Sequence, residues 1–101
     1  DMKKGDKYAM DNSPARFLPG AVCATPSALE VLSRAHLLQL LERHLRGDWG
    51  DTCKIDRVAN ERAICNGDRI VSWYQLSGKT RVLIITEADR SATTIMLSEE
   101  Y

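Results

Sequence analysis

His44-Leu45-Arg46-Gly47-Asp48-Trp49-Gly50-Asp51 is the stretch on which the fold turns. Arg43, His44 and Arg46 put positive charge at the end of a helical pattern, where the carbonyl end of the dipole favours it, and Gly47 accepts the left-handed backbone that stops a helix. The spacing predicts a helix ending at Arg46. Asp51 or Thr52 then stands as the N-cap of a helix beginning at Lys54, because a short side-chain oxygen there can accept an unpaired amide proton. Asp48-Trp49-Gly50 is therefore a tight corner between two helices. Trp49 between glycines is expected to close the end of a core rather than to bind a ligand, and its indole N–H needs an acceptor.

Upstream of the corner, Leu37, Leu38, Leu40, Leu41 and Leu45 recur at helical spacing while Gln39, Glu42, Arg43 and Arg46 take the other side. His44 lies beside that apolar stripe. Thr25-Pro26 is an N-cap followed by a proline at the first helical position, which predicts a helix from Pro26 to about Ser33. Ala21-Val22-Cys23-Ala24 reads as a brief edge strand. Residues 1–20, rich in lysine, proline and glycine and without a period, read as a flexible leader, with a part before Met10 that need not be native.

Downstream, a third helix is expected over Lys54 to Asn66, ended by Gly67. Its inner face has two readings. One uses Ile55, Val58, Ala59 and Cys65; the other uses Ala59, Asn60, Ala63 and Ile64 and would bury Asn60, whose amide would then need partners. Arg57 and Glu61, four apart, suit a surface ion pair. From Ile70 the period changes: Ile70–Leu76 and Thr80–Thr86 make a hairpin across Ser77-Gly78-Lys79, and Ala92–Leu97 makes a third strand. The unbroken Val82-Leu83-Ile84-Ile85 marks a central strand covered on both faces, or one whose second face is shielded by Trp73 or Tyr74. Ser98–Tyr101 reads as a polar tail. Together these elements predict a single α+β domain over residues 21–101, with two or three helices packed on a three- or four-stranded, mainly antiparallel sheet.

Composition limits the functions open to this fold. The chain has 101 residues, with 14 basic and 14 acidic side chains and a formal net charge of zero, so no global field draws in nucleic acid or a membrane surface. Cys23, Cys53 and Cys65 form no CxxC pair and only His36 and His44 accompany them, which predicts buried, reduced thiols, no metal and a cytoplasmic setting. No apolar run approaches the roughly 20 residues of a membrane span. A Gly-rich phosphate loop, HExxH and GxSxG are all missing from the sequence, so no cofactor is expected.

Val22-Cys23-Ala24-Thr25-Pro26-Ser27-Ala28-Leu29-Glu30, Arg43-His44-x-x-Gly47-Asp48-Trp49-Gly50, Asn60-Glu61-x-Ala63 and Ile85-Thr86-Glu87-Ala88-Asp89-Arg90-Ser91-x-Thr93-Thr94 resemble a family of small uncharacterised bacterial proteins often encoded on plasmids and other mobile elements. The likeness covers about residues 22–101. It implies an accessory protein of such an element and carries no activity with it. At Ala35-His36-Leu37 the chain departs from a Gly-containing break in that family, so its first two helices are expected to be joined differently.

Two readings of the polar residues follow. In the first, the protein is a non-enzymatic accessory or regulatory module that binds a protein, including itself, through an exposed helix or sheet edge. In the second, His44 as acid–base group, Glu87 as base and Arg90 as anion clamp converge in a small hydrolase of the ribonuclease-toxin type. The helix–helix plan followed by a meander resembles such toxins only at the level of fold. The neutral charge gives a nucleic-acid partner no support. Asp48, Trp49, Asn60, Asp89 and Thr93 complete the candidate binding residues. Thr86-Glu87-x-Asp89-Arg90-Ser91 also has the composition of an ordinary turn.

Overall fold

The computed structural model describes residues 14–101. β1 (Ala21–Ala24) is followed by α1 (Pro26–Val31), α2 (Arg34–Leu45) and α3 (Lys54–Asn66). The meander β2 (Ile70–Gln75), β3 (Arg81–Thr86) and β4 (Ala92–Leu97) comes next, and a short 3₁₀ turn (Ser98–Glu100) completes the order. Three helices thus lie on one four-stranded sheet of order β1-β4-β3-β2, an α+β arrangement. The meander is antiparallel, but β1 runs parallel to β4, Ala21 beside Ala92 and Ala24 beside Ile95.

The local signals act as their chemistry requires. Thr25 Oγ1 accepts the Ala28 N–H at the start of α1, and Ser33 Oγ accepts the His36 N–H at the start of α2, so the break between the two helices falls at Leu32-Ser33. α1 stops two residues short of the expected Ser33. α2 ends at Leu45 with Arg46 as cap. α3 ends at Gly67, whose φ of 74° is the left-handed C-terminal conformation. Its start differs from expectation. Cys53 occupies the N-cap and makes no side-chain cap bond, because Asp51 and Thr52 are drawn instead to the backbone of β2.

Alternation along the strands sorts the core. Ile70, Ser72 and Tyr74 on β2, Val82, Ile84 and Thr86 on β3, and Thr93, Ile95 and Leu97 on β4 share the face under the helices, as the register dictates. Ala28, Leu32, Leu37 and Leu40 pack on that face at one end, and Phe17, Trp49, Ala63 and Ile70 form a second cluster at the other. Leu83 and Ile85 point to the opposite face and are also buried, so the central strand is covered on both sides. Trp73 lies on that second face beneath the Arg81 guanidinium, with Tyr101 edge-on to its ring. The expected polar tail stays exposed but is tied down: Arg69 donates to the Tyr101 hydroxyl, and the Glu100 carboxylate accepts from Thr25 Oγ1 and the Leu97 N–H.

The described part of the expected leader is pinned too. Phe17 is buried in the second cluster, the Arg16 N–H donates to Leu45 O, and Pro19 O accepts from Thr93 Oγ1. A single aromatic residue in an aperiodic segment leaves no spacing signal, which is why the pattern missed it. The rest of that leader, residues 1–13, lies outside the described residues.

Candidate functional site

α2 carries His44 into the centre of the molecule, where no part of it meets solvent. Its Nδ1 lies 2.6 Å from Ser72 Oγ and its Nε2 lies 2.9 Å from Thr86 Oγ1. Thr86 Oγ1 is 2.7 Å from Thr93 Oγ1, which donates to Pro19 O at 2.8 Å. One proton per hydroxyl fixes the direction of this chain. A carbonyl only accepts, so Thr93 spends its proton on Pro19 and Thr86 must donate to Thr93. His44 Nε2 then carries the imidazole proton and donates to Thr86, and Ser72 donates to Nδ1. Every polar atom is satisfied with the imidazole neutral. Burial agrees, holding its pKa down at about 3. The site unites α2, three strands and the N-terminal segment around one side chain. It offers neither a water-accessible base nor an exposed nucleophile.

The rings of Phe17 and Trp49 close this centre, 5.2 and 6.1 Å from the imidazole. Trp49 Nε1 donates to Glu61 Oε2 at 3.1 Å, the acceptor that the indole required. Glu61 also receives both arms of Arg16, at 2.8 and 3.0 Å. Arg16 holds the Glu61 carboxyl below the usual range, with Trp49 adding to the effect. The expected Arg57–Glu61 pair is not what these residues do: Arg57 donates to Thr52 O and Gly50 O, so it braces the corner while Glu61 reaches back to the N-terminal segment. Asp48 forms a two-armed pair with Arg43 and accepts the Gly50 N–H, and Arg43 holds its carboxyl low. The Asp48 carbonyl accepts from the Tyr74 hydroxyl.

Asn60 settles the facing of α3. It is buried with Ala63, while Ile55 is 80% exposed. Its Nδ2 donates to Val71 O at 2.7 Å and its Oδ1 accepts the Val71 N–H at 3.1 Å. Val71 lies on the outer edge of β2, and the rest of that edge is covered in the same way. Thr52 Oγ1 accepts the Trp73 N–H, Trp73 O accepts the Asp51 N–H, and Asp51 Oδ2 accepts the Gln75 N–H. One edge of the sheet is thus sealed by side chains and backbone from the corner.

The 86–91 loop is held by Arg90. Its Nη1 donates to Asp68 O, Glu87 O and Ala88 O, and its Nη2 donates to Ala63 O, at the C-terminus of α3 where a cation is favoured. Its guanidinium also lies 5.7 Å from the Phe17 ring centre. Arg90 has a φ of 61°, left-handed backbone in a non-glycine residue. Asp89 accepts the Ser91 N–H in a local turn, and Ser91 holds its carboxyl low. Glu87 is exposed and takes part in the loop through its backbone. His44, Glu87 and Arg90 therefore do not meet at one accessible surface: the first is enclosed, the second faces solvent, and the donors of the third are engaged by carbonyls.

Among the described residues the other edge of the sheet is open: β1 bonds only to β4, and Val22, Leu29 and Leu38 around it are 43%, 58% and 50% exposed. Together with Leu32, Leu37 and Arg34 they line a groove of about 480 Å³ between β1 and the first two helices. Periodicity could not locate this surface, since Leu38 belongs to the apolar stripe of its helix by spacing and only the topology places β1 at an edge. Ser72 was missed although alternation with Ile70 and Tyr74 carried the signal. Cys23, Cys53 and Cys65 are free and exposed, not buried as expected. Among the described residues no cluster of His, Cys, Asp and Glu suits a metal, and no helix is long and apolar enough to cross a membrane. Comparison of the chain with protein-family models, with curated proteins and with solved structures gives no match.

Proposed function

We propose that this protein is a non-enzymatic protein-binding module, of the accessory or regulatory kind to which the mobile-element resemblance points. One observation carries the reading: the two edges of the sheet are treated in opposite ways. Unpaired strand edges are templates for another chain, and proteins that need no partner there block them. Here the β2 edge is blocked at Val71, Trp73 and Gln75, whereas nothing among the described residues covers the β1 edge, which is bordered by exposed apolar side chains on the helix side. A bare edge and an apolar groove together suit an added strand, with main-chain bonds giving affinity and the groove giving selectivity. The interior gives catalysis no comparable support, because His44 is neutral and walled off from water.

The test is affinity capture from the native host with the wild-type chain and with Leu29→Glu, a change at an exposed position. The reading expects an identified protein, including this one, that wild type retains and the variant loses at equal stability. Partners held equally by both would count against it. So would inhibition of growth on expression that His44→Ala or Arg90→Ala abolishes without unfolding the protein.

A further inference from the structure

We infer that the occupant of the open edge is a second copy of this chain, paired antiparallel through β1 about a twofold axis at Cys23, so that two four-stranded sheets become one. The inference rests on the protein-binding reading and names its partner. The N–H groups of Ala21 and Thr25 donate to Ser91 O, just before β4, and to Ile95 O on β4, so by alternation the backbone groups of Val22 and Ala24 face the free edge. Only registers that oppose these residues to one another make ladder bonds. A twofold at Cys23 sets Val22 against Ala24 of the second copy twice over and satisfies both residues in each chain. A twofold at Val22 would need Gly20 as the matching strand residue, and its φ of 67° takes it out of extended backbone.

The side chains fit the same arrangement. Val22 and Ala24 share the helix face with Thr93 and Ile95, so pairing joins the two grooves on that side and brings the exposed Val22, Leu29 and Leu38 of each copy together. Twofold association requires a self-complementary patch. Glu30, beside Leu29, and Arg34, in the groove wall, are exposed side chains of opposite sign, and neither has a side-chain partner among the described residues. A twofold can set the acid of one copy against the base of the other. The formal net charge of zero leaves two copies without mutual repulsion.

The register places Cys23 on the opposite face, directly across from Cys23 of the second copy. Residues of a non-hydrogen-bonded antiparallel pair have Cα atoms about 4.5 Å apart, within the range a disulfide spans. The experiment is sedimentation equilibrium of the reduced full chain from micromolar to millimolar concentration, followed by mild oxidation in a Cys53→Ser, Cys65→Ser background. A mass rising from 11.3 kDa to twice that value, at least a tenfold weaker association with Val22→Lys, and a Cys23 disulfide dimer suppressed by the same change are expected. Leu38→Glu repeats the test should Val22→Lys fail to fold, with far-UV circular dichroism as the check. A chain monomeric throughout, or a dimer indifferent to both changes, overturns the inference. A monomer that still captures a host protein through Leu29 overturns self-pairing alone, whereas a monomer that captures nothing takes the protein-binding reading with it.

Discussion

Lowering the pH from 7 to 5 should weaken this protein through one side chain. His44 is neutral in the fold, and burial holds its pKa at about 3, against about 6.5 in an unfolded chain. Below 6.5 the unfolded chain takes up a proton that the folded chain refuses, so stability is full above that value and falls with pH until the folded pKa is reached. The slope approaches about 1.4 kcal/mol per pH unit, and the loss at pH 5 comes to about 2 kcal/mol. That is a large fraction of the roughly 5–15 kcal/mol that holds a domain together. The hydrogen-bond chain explains the resistance: a second proton on Nδ1 would meet the hydroxyl proton that Ser72 directs there. The carboxyls of Asp48, Glu61, Asp89 and Glu100 are also held low in the fold. Their contribution is lost in the same direction, but only toward their unfolded values near 4 and below. The window from pH 6.5 to 5 therefore reports His44. Urea titrations at stepped pH, followed by the fluorescence of the buried Trp49, measure it. His44→Gln should be less stable at pH 7 and nearly flat to pH 5. A wild-type stability constant within about 0.5 kcal/mol over that range, or an undiminished slope in His44→Gln, would refute the argument.

Arg90→Ala should cost about 2 kcal/mol in urea denaturation, since it removes two short charge-assisted bonds, to Asp68 O and Ala63 O, from a partly exposed side chain. Arg90→Gly should cost about 1 kcal/mol less, because glycine relieves the left-handed backbone; equal losses would contradict the strain. Asn60→Ala should cost about 2 kcal/mol by stranding both backbone groups of Val71, and hydrogen exchange should show the Val71 amide unprotected. An amide still protected in a protein of unchanged stability would refute the sealed edge. At the corner, a Cβ on Gly50 would stand 2.3 Å from Trp73 O, whereas one on Gly67 would meet nothing within 4 Å although both residues have positive φ. Gly50→Ala should then prevent folding or cost more than about 3 kcal/mol, and Gly67→Ala about 1 kcal/mol, a ranking that thermal unfolding can check.

What the sequence disclosed was local. Lys54 to Asn66 was readable because Gly67 ends the helix by its own conformational freedom, and the meander was readable because β-branched runs alternate with turn residues. Contacts that depend on distant chain were not. Glu61 is four residues from Arg57 but binds Arg16, 45 residues away, and no spacing rule chooses between those cations. Cys53 became an N-cap by default once the β2 edge had claimed Asp51 and Thr52. His44 was visible beside the apolar stripe, yet its partners Ser72 and Thr86 emerge only when the strand register is known. The parallel placement of β1, which creates the open edge, has no local signature at all.

That placement also governs the order of assembly. β3 and β4 meet across a short loop, Thr86 opposite Thr93, whereas β1 joins β4 across most of the chain, Ala21 beside Ala92. Loop-closure entropy grows with the logarithm of the separation, so the β1 closure costs about 2 kcal/mol more than the hairpin closure. Closure entropy therefore favours forming the meander before β1, and the Phe17 segment that covers His44, dock on it. Until it docks, the flank of β4 is bare. In that order of closure the edge exposed before docking belongs to a different strand from the one exposed at the end, and crowded synthesis would favour exchange of β1 between neighbouring chains.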